Sequence, residues 1–549
     1  MKVIICSINS KYIHSSLAPW CLAGGLECYA SDLDYRVVEG TINEDFEAIY
    51  GRLSVDDCDI IGFCTYIWNK NYVLKLCEMI KNKTNVKIVL GGPEVSYNSE
   101  EILKNENVDY VLCGEGEKSF ADLCSGVEKS KISGLCYRGK DGVVLNDIVQ
   151  ANDDPPSPYT DKYFEQLNGR IAYIETSRGC PHRCAFCLSG RMGGIRFFDL
   201  DESKNRIIKI ANSGTKTVKF VDRTFNANRK CANEIFEFII ESYGKSIPND
   251  VCFHFEIDGE LIDETTFEIL KNAPLGSIQL EIGIQSFNLK TLESINRKSN
   301  LERLSENISR LISLGNIHIH IDLIAGLPYE SFEIFEESFN RAYALNANML
   351  QFGFLKLLHG SDMRNDNYKY KCEFSQNTPY EVISTPWLSA RELKIMHTCE
   401  DVFDRMYNSS RFKRTCKYVT EQMNNPFKTF LDFSCYLKDK NVSSLDDFTF
   451  EIFMYFSKKP EISEANLRDC MIIDRLSTNR MGKLPDFLKI QSPLTKKLLN
   501  SLEDDEKTRK AKGIKRSISL LSSMDKYVYV DYDKCNPVTK EYSVYEKDI

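Results

Sequence analysis

Along most of the chain, short apolar runs alternate with stretches whose apolar residues recur at helical spacing, and the alternation sorts into two series. In the first series the runs KVIICSI, YRVVEG, CDIIGFCTYI, VKIVLGG and VDYVLCGEGE are apolar on both faces, as strands of a covered parallel sheet are. LAPWCLAGGLECYA, NEDFEAIYGRLS, KNYVLKLCEMIKNK and SEEILKNE separate them as helices. The pattern predicts a doubly wound α/β, Rossmann-like domain, which binds ligands at the carboxyl ends of its strands. The Pro- and Asp-rich NDDPPSPYTD, Asn152 to Asp161, reads as a linker, so this domain and its linker are placed over residues 1–150.

The second series has strands at IAYIETS, TVKFVDRT, DVCFHFEIDG, SIQLEIGIQS, IHIHIDLIAG and MLQFGFLKLL, with helices such as CANEIFEFIIESY and LERLSENISRLISLG between them. Six strand–helix repeats predict a partial (β/α)6, TIM-like barrel over residues 151–375, with its chemistry at the carboxyl ends of the strands. From about Thr378 the pattern turns helical, and KYVYVDYDKCNPVTKEYSVYE closes the chain as a β-hairpin, giving a mainly α-helical domain over residues 376–549.

Composition narrows the function classes. The 549 residues are 42% hydrophobic and carry a net charge of −9, so electrostatic capture of nucleic acid is disfavoured. No stretch has the roughly 18 uninterrupted apolar residues of a membrane span, and the N-terminus reads as a buried strand instead of a leader, so a cytoplasmic location is expected. Most of the 20 cysteines, such as Cys6, Cys64 and Cys113, sit singly in apolar runs, where a thiol behaves as a small buried hydrophobe.

Three cysteines differ. SRGCPHRCAFC places Cys180, Cys184 and Cys187 in a C-x3-C-x2-C loop just after the first strand of the second series. Structural zinc takes four ligands, commonly as two cysteine pairs, and only one tight group is present; His182 inside the loop is the alternative fourth donor. An iron–sulfur cluster fits better, because thiolates are its usual ligands and three of them leave one iron open to a small molecule.

CPHRCAFC at the head of a β–α series resembles the radical S-adenosylmethionine family. The resemblance implies that Cys180, Cys184 and Cys187 hold a 4Fe–4S cluster whose open iron binds S-adenosylmethionine, and that Phe186 packs near the adenine. It also implies contacts to S-adenosylmethionine from strand ends: Asp222 in FVDRTFN, Glu256 in FHFEIDG, Glu281 and Gln285 in LEIGIQS, and Gly326 in DLIAGLPYE. The Gly-Gly-Glu form of the family's motif at the Asp222 strand is absent.

VLGGPEVSYNSEEILKNENVDYVLCGEGEKSF resembles the cobalamin (B12)-binding domain found in front of many radical S-adenosylmethionine barrels. By that resemblance Thr65, Tyr66, Gly91, Gly92, Pro93, Gly114 and Glu115 line a corrin site. The Asp-x-His-x-x-Gly motif that supplies a cobalt-ligating histidine is missing, and His14, in YIHSSL, reads as a loop or structural residue.

Together the resemblances imply an enzyme that cleaves S-adenosylmethionine reductively at a 4Fe–4S cluster and uses cobalamin, for methyl transfer to an unactivated centre before other reactions. Radical rearrangement, cyclisation and methylthiolation are the alternatives, and a non-catalytic sensor ranks below them. An external electron donor of flavodoxin or ferredoxin type is implied, with a small-molecule or peptide substrate and neither nucleic acid nor membrane as partner. The C-terminal part resembles an extension of unknown function in one subfamily, with YNSSRF as its most distinctive stretch.

Overall fold

The apolar runs of the first series form five parallel strands: β1 (Lys2–Asn9), β2 (Asp34–Thr41), β3 (Ile60–Cys64), β4 (Lys87–Gly91) and β5 (Tyr110–Leu112). In the computed structural model, which describes residues 1–191, 193–490, 492–502 and 515–549, they run in the order β2-β1-β3-β4-β5. An antiparallel pair, β6 (Leu135–Gly139) and β7 (Gly142–Leu145), extends the sheet beyond β5. Helices cover both faces, so Ile5, Cys6, Ile61, Ile88 and Leu90 are fully buried. Each such aliphatic side chain contributes about 1.5–3 kcal/mol on leaving water.

The strand order reverses beside β1, the topological switch point at which such sheets open a crevice. Asn69 fixes that point: its Nδ2 donates to the carbonyls of Ile8 (2.9 Å) and Cys64 (3.0 Å), tying the ends of β1 and β3 together.

The chain packs as two units. The first is Met1–Asn272 with Ile295–Arg297 and Leu355–Ile383; the second is Ala273–Ser294, Lys298–Phe354 and Ser384–Ile549. In the first unit the second series begins with β8 (Ala172–Ile174), followed by a short antiparallel pair, β9 (Ser177–Gly179) and β10 (Ile195–Phe197). β11 (Thr217–Phe220) and β12 (Cys252–Ile257) then run parallel to β8. The second unit contributes three further parallel strands, β13 (Ile278–Gln285), β14 (His318–Ala325) and β15 (Met349–Phe354). All six expected strands of the series are thus present. β13 alternates strictly, burying Ile278, Leu280, Ile282 and Ile284 and turning Gln279, Glu281, Gly283 and Gln285 to the other face.

The rest of the second unit is mainly helical, as expected. Helices Ala390–Phe403, Lys413–Met423, Pro426–Leu437, Leu445–Phe456 and Glu464–Thr478 surround an aromatic core that includes Phe403, Phe427 and Phe430. The first helix opens on a capping box between Ser389 and Glu392, which satisfies amide donors at its end. It runs on into a π-turn, Asp404–Asn408. There the Asn408 side chain accepts from the Leu350 amide (3.0 Å) and donates to the Leu350 carbonyl (2.9 Å), while the Tyr407 hydroxyl donates to the Ala347 carbonyl. The C-terminal hairpin has three strands instead of two: Arg516–Leu520, Lys526–Cys535 and Tyr542–Asp548. Among the described residues no helix is long and apolar enough to cross a membrane.

Candidate functional site

The cysteine loop lies between β9 and β10 and is anchored from three sides. The amide of Ala185 donates to the carbonyl of Ile295 (2.9 Å), and its carbonyl accepts from the amide of Met363 (3.1 Å). At the loop's base, Asp222, at the exit of β11, accepts from the Thr176 amide (3.1 Å), the Thr176 hydroxyl (2.8 Å) and the Ser177 hydroxyl (2.5 Å). Asp222 is 1% exposed, and burial pushes its carboxyl up to about 6 against these hydrogen bonds. Both of its oxygens accept hydrogen bonds within the protein, so it braces the start of the loop.

Each of the three thiols has its own polar neighbour. Cys180 Sγ is 3.3 Å from the Thr224 hydroxyl. Cys187 Sγ accepts from the Ser189 amide at 3.4 Å. Cys184 is buried and raised above the ordinary thiol value by that burial, which the Arg297 guanidinium, 3.9 Å from its sulfur, opposes. Positive charge and N–H or O–H donors beside a sulfur favour the thiolate that metals bind. His182 does not complete a zinc site: its Nε2 is 3.0 Å from Asp258 Oδ2, and although burial pushes the Asp258 carboxyl up, His182, the Glu260 amide and Arg297 together hold it below the ordinary carboxylate value. The loop therefore gathers three cysteine sulfurs, the donor set that a 4Fe–4S cluster with one open iron requires.

Phe186, in the same loop, is half-buried. Glu256, on β12, lies 3.9 Å from both Lys219 and Arg223. These residues and the cysteines belong to the first unit. Glu281, Gln285 and Gly326 belong to the second. There Glu281, His320 and Asp322 gather on β13 and β14, with His320 Nε2 2.9 Å from Asp322 and Nδ1 3.7 Å from Glu281. β13 slips register at its end, where Gln285 adopts a φ of +71°. A Cβ on Gly283 would come within 2.1 Å of Gln285 Nε2, so Gly283 makes room for the amide. Ser286 then donates to the fully buried Glu330 (2.5 Å), which Ser338 also contacts (3.3 Å). Gly326 leaves β14 at a φ of +92°.

The corrin candidates cluster at the exits of β3, β4 and β5. Thr65 is fully buried, and its amide donates to the Gly91 carbonyl (2.7 Å). Gly92 has a φ of +111°, and a Cβ there would meet the Thr65 carbonyl at 2.5 Å. The close approach this glycine permits is thus between two strand exits, whereas Gly91, whose nearest atom would be 3.6 Å away, stays open. Tyr66 stacks on Trp68 at 4.5 Å, Pro93 starts a helical turn, and Gly114 bends the exit of β5. Glu115 commits its carboxylate to Arg178 Nη1 (2.6 Å) and Arg196 Nη2 (2.8 Å). His14 is likewise committed, its Nδ1 lying 2.7 Å from the Tyr173 hydroxyl, in keeping with a structural residue.

Arg178, Arg297 and Thr224 escaped sequence reasoning. Each meets its partner only through the fold; the position of Arg178 two residues before the first cysteine was the sole hint.

Comparison with known proteins matches this layout. Residues 4–124 match the B12 binding domain, residues 174–342 the radical SAM superfamily, and residues 368–540 a protein family of unknown function, DUF4080. Over 343 residues the chain is 27% identical to an uncharacterized methyltransferase of Pyrococcus horikoshii, covering 58% of this chain and 72% of that protein. It is 26% identical over 309 residues to the cobalamin-dependent radical SAM methyltransferase TokK of Streptomyces tokunonensis, covering 51% of this chain and 44% of TokK. Among solved structures, the cobalamin-dependent S-adenosylmethionine radical enzyme OxsB superposes with a TM-score of 0.59 at 14% identity, over 92% of this chain and 81% of that one, a likeness of fold. The two N-terminal domains set the cofactors as a 4Fe–4S cluster, S-adenosylmethionine and cobalamin. The chain is a radical S-adenosylmethionine enzyme with a B12-binding domain in front of its radical domain and a DUF4080 domain behind it.

Proposed function

We propose that this enzyme is a cobalamin-dependent methyltransferase acting on an unactivated carbon or on phosphorus. The observation that carries the reading is one chain with two built sites: a three-cysteine loop with a polar neighbour at each sulfur, and a strand-order switch point whose exits are tied together by Asn69 and packed closely at Gly92. Methyltransferases among the relatives support it.

When bound, the cluster and S-adenosylmethionine supply radical chemistry and cobalamin a methyl carrier, reactions no side chain performs. The protein's part is to hold and orient. Cys180, Cys184 and Cys187 hold the cluster, with Thr224, Arg297 and Ser189 as polar neighbours of their sulfurs. Phe186 and Glu256, in the unit that carries the cysteine loop, are the contacts for S-adenosylmethionine. Thr65, Tyr66, Gly91, Gly92, Pro93 and Gly114 line the corrin site, with the backbone beside Glu115 contributing in place of its occupied carboxylate. The electron comes from a separate protein of flavodoxin or ferredoxin type.

The test is anaerobic incubation of reconstituted enzyme with S-adenosylmethionine, reductant and methylcobalamin against extracts of the source organism. Formation of deoxyadenosine together with a product heavier by one methylene is the expected result. Deoxyadenosine with no methylated product would remove methyl transfer while leaving the radical enzyme.

A further inference from the structure

The hairpin that carries the cysteine loop has an unusual pairing. Arg178 on β9 and Arg196 on β10 are direct cross-strand partners. Like charges opposite each other destabilise a strand pair, so this hairpin is not self-sufficient. The missing negative charge comes from two sources. Glu175 lies three residues before Arg178 and chelates it, with Nε–Oε1 and Nη2–Oε2 both at 2.9 Å. The rest comes from the exit of β5, in the B12-binding domain: Glu115 bridges both guanidinium groups, and Glu117 takes Arg178 Nη2 at 2.6 Å.

The network is largely out of solvent, with Arg178 at 19% side-chain exposure and Glu117 at 8%. Its parts are fixed from behind. Both guanidinium groups lie over the Phe198 ring. The backbone of Glu117 packs so closely on the helix Ala18–Tyr29 that a Cβ on Gly25 would meet its carbonyl at 2.3 Å. Removing one partner from such a network strands a charge, so its members must keep their positions together.

The loop Gly114–Glu117 stands at the carboxyl end of a parallel strand, where doubly wound domains bind their ligands. Two residues past Arg178 the chain reaches Cys180. We propose that this loop is a latch by which the B12-binding domain holds the cysteine-loop hairpin closed, with Arg178 as the positioning residue on which it acts. The cluster's surroundings then depend on two carboxylates that never touch it. This rests on the assignment of both cofactors to the one chain.

The test uses the full-length, anaerobically reconstituted holoenzyme and reads the cluster directly. The variants are Glu115→Gln, Glu117→Gln, Arg178→Gln and the double variant Glu117→Gln/Arg178→Gln. The readouts are iron and sulfide content and the electron paramagnetic resonance spectrum of the reduced cluster with S-adenosylmethionine. Glu115 lies 63 residues upstream of Arg178, yet Glu115→Gln is expected to lower the iron and sulfide content of the reconstituted protein and to shift the spectrum. The double variant is expected to be no worse than Arg178→Gln alone, because the two groups act as a unit. Wild-type spectra and iron content in Glu115→Gln and Glu117→Gln, or strictly additive losses in the double variant, would overturn the latch. If Arg178→Gln fails to fold, as circular dichroism would show, the two glutamate variants decide by themselves. Wild-type protein that binds no corrin would remove the cobalamin assignment but leave these cluster readouts intact.

Discussion

Glu330 is a carboxylic acid in a place that does not suit its charge. It is fully buried, and burial pushes it up to about 8 although Ser286 and Ser338 supply hydrogen bonds that pull the other way. Its second oxygen, Oε2, has no hydrogen-bond partner among the described residues. A group held above its unfolded value keeps its proton in the folded chain after the unfolded chain has released it. Stability is therefore greatest below the ordinary carboxyl range and falls as pH rises from there to about 8, then levels off. Glu330→Gln keeps a neutral group of the same shape, so it should flatten this dependence, as urea midpoints measured across that pH window will show. Glu330→Ala leaves two hydroxyls and a cavity behind and should cost about 3 kcal/mol. Cys184→Ala makes a different kind of change: one donor of three is lost, so iron content should fall to near zero while the folded circular dichroism spectrum is kept.

At the scale of elements, the strand exits separate what local sequence announces from what only packing decides. Strands of the first series were legible as apolar runs because helices cover both faces of their sheet, and strands such as β13 by their alternation of buried and less buried positions. The cysteine loop was legible because a fixed spacing of thiols has few other uses. The antiparallel extension β6–β7 was not read, although Asp141-Gly142 is a turn signal, because β7 is a short, mostly solvent-exposed strand, Gly142–Leu145. Nothing in FVDRTFN shows that Thr176 and Ser177 will arrive to donate to both oxygens of Asp222. Gly91 and Gly92 looked equivalent, and packing distinguishes them. Gly92→Ala must force a Cβ into the Thr65 carbonyl at a positive φ and should lower stability by about 1–3 kcal/mol and weaken corrin binding. Gly91→Ala should do neither. Thermal melts and absorbance titration with hydroxocobalamin check the pair.

At the scale of the whole molecule, two cofactors that bind only the folded chain add to its stability by mass action. A hundredfold excess of cobalamin over its dissociation constant should contribute about 2.7 kcal/mol, and S-adenosylmethionine a comparable increment once the cluster is in place. Unfolding midpoints measured with each cofactor alone and with both will show whether the increments add; a surplus over the sum would be the energetic signature of communication between the two sites. The net charge of −9 also bears on the electron donor. Flavodoxin- and ferredoxin-type proteins dock through charge complementarity, so their reduction of the cluster should depend on ionic strength, which stopped-flow bleaching of the cluster can follow.

The Asn408 side chain, in the YNSSRF stretch that had no reading from sequence, gives and takes the backbone hydrogen bonds of Leu350 that another strand would otherwise supply. An uncovered strand border is a template for joining a second chain, and Asn408 acts there as a stopper. A chain shortened ahead of Asn408 would present β15 to its neighbours and should polymerise or precipitate even with its cysteine loop intact. In that role the DUF4080 domain, through Asn408, seals an otherwise sticky sheet border.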